Sequence, residues 1–227
     1  MSSWKKFWEH PLKSYIATMD AGAIYYAENL KSVVDLKKHE IILDYGAGTG
    51  VISEHILKYV RGINIYDSSA YMTSILKKKF LNVDSVRVLE VLDDMDVEAD
   101  LVLICSVIQY IDKKDLATLV QKIQKISKKN HKVVITDIIP LGSNRVIESI
   151  LMLKKAKQLK ILPQFLWQII STIPLLFMSS SQKKLTKYNE KDLINLFNSY
   201  GYSVERLKEN LGLSNQRYSV ICSYKTN

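Results

Sequence analysis

Asp44-Tyr45-Gly46-Ala47-Gly48-Thr49-Gly50 closes a short apolar run, EIILDY, and opens a segment with helical spacing at Ile52, Ile56, Leu57 and Val60. Glycines at alternate positions let a backbone take positive φ and approach a ligand closely. The helix start behind them offers free N–H groups to an anionic group. Asp44 stands where it could hold the turn or meet a ligand ammonium through water. Asp67 ends the next apolar run, GINIYD, where a carboxylate can accept two hydrogen bonds from a ribose diol. The dinucleotide fingerprint G-x-G-x-x-G is not met, because Val51 stands at its sixth position. No Gly-Lys pair exists for a P-loop. The turn is therefore built for a close backbone approach without a diphosphate pattern.

The elements that must hold these residues can be read from periodicity. Residues 1–39 have helical spacing, with Tyr15, Ile16, Met19, Ala23, Tyr26, Ala27 and Leu30 at intervals of three and four. Strands are expected at 40–45, 62–67, 86–91, 99–106 and 132–138, and helices at 50–60, 70–81 and 113–128. Ser68 or Ser69 can cap the helix at 70–81. Alternation of this kind requires a parallel sheet covered on both faces. The pattern then changes. Residues 142–187 read as an irregular helical insertion. A helix follows at 189–199 with Asn189 as its cap, and Gly201 fits the left-handed position past its end. Two alternating segments, 202–208 and 217–224, flank the turn-like NLGLSN.

Composition narrows the class. The 227 residues are 47% hydrophobic and 24% charged, which excludes a disordered chain, a collagen-like repeat or a coiled coil. Cys105 and Cys222 cannot build a disulfide framework or a zinc ribbon, and no metal site is expected. Both lie in apolar runs, which fits a reducing compartment. MSSWKKFWEHPLK lacks the apolar core of a signal peptide, so a cytoplasmic location is expected. The net charge of +9 allows an anionic partner but names none.

Four blocks carry a family resemblance. ILDYGAGTG closely resembles motif I of class I S-adenosylmethionine-dependent methyltransferases, and its spacing to IYDSS resembles their second motif. ADLVLICSVIQYI resembles their fourth-strand block, as found in small-molecule members, and KVVITDIIP their fifth strand. The resemblance covers 40–140 well and the tail moderately. It does not extend to 1–35 or 142–185. The fold it implies is a three-layer, doubly wound α/β domain, 40–227. Its mostly parallel seven-stranded sheet has an antiparallel last strand. A helical lid at about 142–187 and an N-terminal helical cap at 1–39 complete it.

The resemblance implies S-adenosylmethionine as cofactor. The backbone of Gly46, Ala47 and Gly48 would lie against its methionine part, with Asp44 beside them. Asp67 would bind the ribose, and Ser68 and Met72 would flank the adenine. Asp93 or Asp94 would meet the adenine amino group, with Glu90 as an alternative. Ser106 and Val107 would line the floor near the methyl group. Tyr25, with Tyr26 as alternative, stands where an N-terminal helix contributes a Tyr to the cofactor carboxylate; either also fits a core position.

A base is needed only if the methyl acceptor is protonated. His39, His55 and His131 fall away from the C-terminal sheet edge where ligands sit in open α/β sheets. His10 alone could reach the site, and Tyr110 is expected to contact substrate. Asp137 faces the same edge. The absence of an Asn-Pro-Pro-Tyr or Asp-Pro-Pro-Tyr block argues against adenine methylation, and the absence of Pro-Cys against cytosine C5 methylation. The expected acceptor is a small molecule, a sugar or a lipid-linked intermediate. RNA methylation is the alternative raised by the charge, but no basic stripe with interleaved aromatics supports nucleic acid as partner. A non-catalytic cofactor-binding protein is the third reading. Ile161 to Met178 has no charged residue, and lysines flank it. Two prolines and several polar groups make it a poor spanning helix. A cap packed on the domain is one reading; peripheral membrane contact through 158–180 is the other.

Overall fold

A computed structural model describes residues 9, 13–92, 97–158, 160, 162–163, 166 and 185–225, with backbone only at 13–21 and 145. The strands are β1 Ile41–Tyr45, β2 Gly62–Tyr66, β3 Val86–Leu89, β4 Ala99–Cys105, β5 Ser127–Ile138, β6 Tyr202–Arg206 and β7 Tyr218–Tyr224. The helices are α1 Lys13–Val33, α2 Val51–Ile56, α3 Ala70–Lys79, α4 Lys113–Ile126, α5 Arg145–Gln158 and α6 Glu190–Ser199. The strands form one seven-stranded sheet in the order β3-β2-β1-β4-β5-β7-β6. The neighbours from β3 through to β5 pair in parallel, and β7 runs antiparallel to both β5 and β6.

The apolar runs of β1, β4 and β5 follow from burial on both faces. Along each strand successive side chains enter opposite layers. Leu43, Val102, Ile104, Val133 and Ile135 pack against Leu116, Leu119, Val120 and Ile123 of α4 and Leu193 and Phe197 of α6. Ile42, Leu101, Leu103 and Val134 face the other way, against Ala27 and Leu30 of α1, Ile52 and Ile56 of α2, and Leu76 of α3. Each fully buried aliphatic side chain stabilises the fold by roughly 1.5–3 kcal/mol. The sheet is thus a rigid middle layer between two helical layers.

Local signals set the helix ends. Ser69 caps α3 by accepting from the Met72 N–H at 3.2 Å. Asn189 caps α6 by accepting from Lys191 and Asp192. Gly201 takes φ of 83° past the end of α6, as its position requires.

Some boundaries differ from the sequence reading. The helix after the glycine turn ends at Ile56 and tightens into a 3-10 turn at Leu57–Tyr59. β5 starts at Ser127, so the last residues assigned to the preceding helix belong to the strand. Lys128 holds that polar start by an ion pair to Asp100 at 2.8 Å. Of the insertion, α5 is helical. Most of 159–184 lies outside the described residues, so the lid and the membrane contact expected at 158–180 do too. Among the described residues no helix is long and apolar enough to cross a membrane.

Candidate active site

Register places the ends of the central strands side by side. Tyr45 is opposite Tyr66, and Cys105 is opposite Thr136. The residues that follow these positions therefore share the C-terminal edge of the sheet, where open α/β folds bind ligands.

The glycine turn is tied to the end of β2. Gly46 and Ala47 both donate their N–H to the Tyr66 carbonyl, at 2.7 and 3.2 Å. Gly48 donates its N–H to Asp67 Oδ2 at 2.9 Å. The other carboxylate oxygen, Oδ1, accepts from the Ser69 N–H at 2.9 Å. Gly46 has φ of 76°. A Cβ there would lie 2.4 Å from Val107 Cγ2, so a larger residue would be strained in conformation and would force Val107 to move. Val107 follows β4, so this contact joins the turn to the strand end that carries Ser106.

Two carboxylates in this edge are perturbed. Asp44 is buried, and its Oδ2 accepts from Ser53 Oγ at 2.6 Å. Burial pushes its carboxyl up to about 6; the serine hydrogen bond pulls the other way, and the nearby Asp67 charge adds to the rise. Burial also pushes the Asp67 carboxyl up, the Ser69 and Gly48 N–H bonds oppose this, and the Glu9 charge adds to it. Glu9 is close because its carboxylate accepts from the N–H groups of Ala70 and Tyr71, at 3.2 and 3.3 Å. A residue from the N-terminal segment thus occupies the start of α3, beside Asp67.

The remaining candidates fall into place around this core. Ser68 is exposed and Met72 is buried, on the first turn of α3. Tyr25 is half-buried with the Lys155 ammonium 5.1 Å from its ring centre. Tyr26 is buried, and burial raises its hydroxyl pKa while the Thr136 hydroxyl beside it pulls the other way. Tyr110 ends the 3-10 turn Ile108–Tyr110. Burial pushes its hydroxyl up, opposed by Gln109 and by the Arg217 charge. His10, Asp93 and Asp94 lie outside the described residues. His131 lies within β5, held between Lys128 and Tyr202, far from this role. Among the described residues no cluster of His, Cys, Asp or Glu is placed to hold a metal.

Sequence reasoning passed over a polar network at the ends of β4 and β5. Ser106 Oγ donates to Asp137 Oδ2. Asn210 Nδ2 donates to Asp137 Oδ1 at 2.6 Å. Arg217 Nε donates to Glu148 Oε1 at 2.6 Å, and its Nη1 donates to Gln109 Oε1 at 3.0 Å. This joins α5 to the segment after β4 and to the start of β7. Asn210 and Arg217 carry no local motif, and their partners are distant in sequence, so only the fold reveals them.

The model of one family, DREV methyltransferase, matches residues 23–163. The chain belongs to that family and has the class I methyltransferase fold. An uncharacterized methyltransferase of Schizosaccharomyces pombe is 32% identical over 113 residues, covering 44% of this chain and 39% of the relative. The match thus spans about two-fifths of that relative's length. Magnesium protoporphyrin IX methyltransferase from Synechocystis PCC 6803, solved with bound SAH, superposes with a TM-score of 0.58 at 14% identity. That match covers 98% of this chain and 93% of the other. Human N-acetylserotonin methyltransferase, solved with SAM, gives 0.58 at 14% identity, covering 88% of this chain and 52% of the human one. At such identities the likeness shows the fold alone.

Proposed function

We propose that this chain binds S-adenosylmethionine across the turn 46–50 and Asp67, and transfers its methyl group to a small-molecule, sugar or lipid-linked acceptor. The observation that carries the cofactor reading is the Gly48–Asp67 hydrogen bond. It fixes a half-buried carboxylate beside a turn with room for no side chain at Gly46. An ionised carboxylate has about four acceptor positions, and the two backbone N–H bonds leave capacity for the hydroxyls of a ribose. The residues present therefore fit the group.

Gly46, Ala47 and Gly48 would hold its amino-acid part by backbone approach. Asp44 would favour its ammonium, because a buried carboxylate with a raised pKa gains most from a nearby cation. Asp67 would hold the ribose, and Ser68 and Met72 the adenine. The backbone at Ser106 and Val107 would form the floor. When bound, the sulfonium supplies an electrophilic methyl group for in-line displacement. The protein aligns the acceptor with that carbon and excludes water. Tyr110 would contact the acceptor, and the Arg217 and Asp137 charges act on its hydroxyl in opposite directions.

The reading is supported by family membership and by the fit of these residues. Two experiments test it. Titration calorimetry with S-adenosylhomocysteine should show one saturable site. Tritiated methyl groups from S-adenosylmethionine should enter a small-molecule or lipid fraction of a cell extract. Label confined to RNA, with steeply salt-dependent RNA binding, would move the assignment to RNA. Liposome flotation with and without residues 158–180 tests the peripheral membrane contact. No flotation in either case removes it.

A further inference from the structure

We propose that Asp137 is a catalytic residue of the acceptor subsite: with Ser106 it receives the proton of an acceptor whose nucleophilic atom carries N–H or O–H. This deepens the methyltransferase reading above and rests on it.

The pair stands at the ends of adjacent strands, on the ligand edge of the sheet. Both residues are non-glycine and take left-handed conformations, with φ of 55° at Ser106 and 57° at Asp137. Such conformations persist only where the surroundings over-determine them, and they concentrate at functional sites. The surroundings here do so. Asn210 grips Asp137 twice, donating to its Oδ1 and accepting from its N–H at 3.2 Å. Ser219 Oγ in turn donates to Asn210 Oδ1 at 2.8 Å. Gly212 leaves the space that the carboxylate fills, since a Cβ there would lie 2.2 Å from Asp137 Oδ1.

The chemistry follows from the direction of the bonds. Ser106 donates its hydroxyl proton to Asp137 and accepts weakly from the Cys105 thiol at 4.0 Å, so one lone pair of its oxygen is left to accept from another donor. Asp137 forms no ion pair among the described residues: its hydrogen-bond donors, Ser106 and Asn210, are neutral, and the Arg217 charge acts on it from a distance. Ser106 is followed by Val107, which touches the space above Gly46. The pair is therefore one residue from the floor of the crevice. As the acceptor's new bond to carbon forms, its X–H bond breaks. Ser106 Oγ takes that proton and passes its own to Asp137, or Asp137 takes it directly. The carbon–sulfur electron pair leaves with sulfur, and Asp137 ends as the neutral acid.

The pair can be tested before the acceptor is known. Methylammonium chloride carries N–H donors; tetramethylammonium chloride carries the same charge without them. Each is titrated into isotope-labelled protein, with and without S-adenosylhomocysteine, and followed by NMR at Ser106, Asp137 and Asn210. Methylammonium is expected to shift these signals saturably and tetramethylammonium to leave them unmoved. Asp137→Asn should weaken the response at least about tenfold, as expected for losing a charge-assisted hydrogen bond. Gly212→Ala, which keeps the carboxylate but displaces it, should do the same. Equal responses to both ions, or responses unchanged in both variants, would overturn the assignment. Failure of S-adenosylhomocysteine to bind would count against the cofactor reading alone, because the titration without it still reads the pair.

Discussion

Gly48 and Asp67 are 19 positions apart in sequence and are joined by a 2.9 Å hydrogen bond from the glycine N–H to the aspartate carboxylate. The same carboxylate accepts from Ser69, so one side chain positions the glycine turn and the start of α3 together. Asp67→Ala leaves two backbone donors without their partner. The expected cost is about 1–3 kcal/mol of stability, the range for an uncompensated polar group at a half-buried site. Urea denaturation of the variant against wild type checks it.

Asp44 couples stability to pH. Its folded pKa, about 6, lies above the ordinary 3.8, so the folded state binds a proton more tightly than the unfolded chain. The sign is that of a raised carboxyl: the buried charge destabilises the fold above about 6, and this penalty fades as pH falls towards 4. The rise from 3.8 to about 6 corresponds to about 3 kcal/mol. Asp44→Asn should therefore be more stable than wild type at pH 7.5, by about 1–3 kcal/mol, with the difference vanishing near pH 4. Urea midpoints at both pH values measure this. The variant should also bind S-adenosylmethionine about tenfold more weakly, as expected where function and stability oppose each other.

Gly46→Ala adds a methyl group where Val107 already stands and forces an unfavourable φ on a residue with a Cβ. The left-handed conformation alone costs about 1–2 kcal/mol. The double variant Gly46→Ala/Val107→Ala should recover the steric part of the loss and not the conformational part. Thermal denaturation of both variants separates the two.

His131 opposes Asp44. A carbonyl can only accept, so Nδ1 carries the proton that meets the Lys128 carbonyl at 2.7 Å, and Nε2 accepts from the Tyr202 hydroxyl at 2.7 Å. The ring stacks on Tyr224 at 5.1 Å. Burial lowers its pKa below the ordinary 6.5, so its contribution is fully present above 6.5 and is lost as pH falls from there through the lower folded value. Tyr202→Phe leaves Nε2 buried without a donor, at a cost of about 1–3 kcal/mol. A fall in melting temperature at pH 7.5 would show it.

The sheet was legible because its central strands are apolar on both faces and end at glycine, serine or aspartate. β5 was read short because Lys128, Lys129 and Asn130 break the apolar pattern; the ion pair to Asp100 and the His131 bond to Tyr202 hold that start, and both are long-range. The cofactor turn was legible because glycine spacing is a local property. The Asp137 network was not, because Asn210 reaches it across 73 positions; nor was the Glu9 contact with α3, which spans 61. Contacts of that range leave no trace in periodicity. Sequence spacing could bring Asp137 to the right edge, but only the fold shows which groups grip it.

Titration calorimetry of the full chain with S-adenosylhomocysteine, repeated on Asp67→Ala, tests the cofactor assignment most directly. One saturable site is expected in the wild type, weakened about 100-fold in the variant, as the loss of two hydrogen bonds to a charged group implies. Absence of binding in the wild type, or equal affinity in the two proteins, would contradict it.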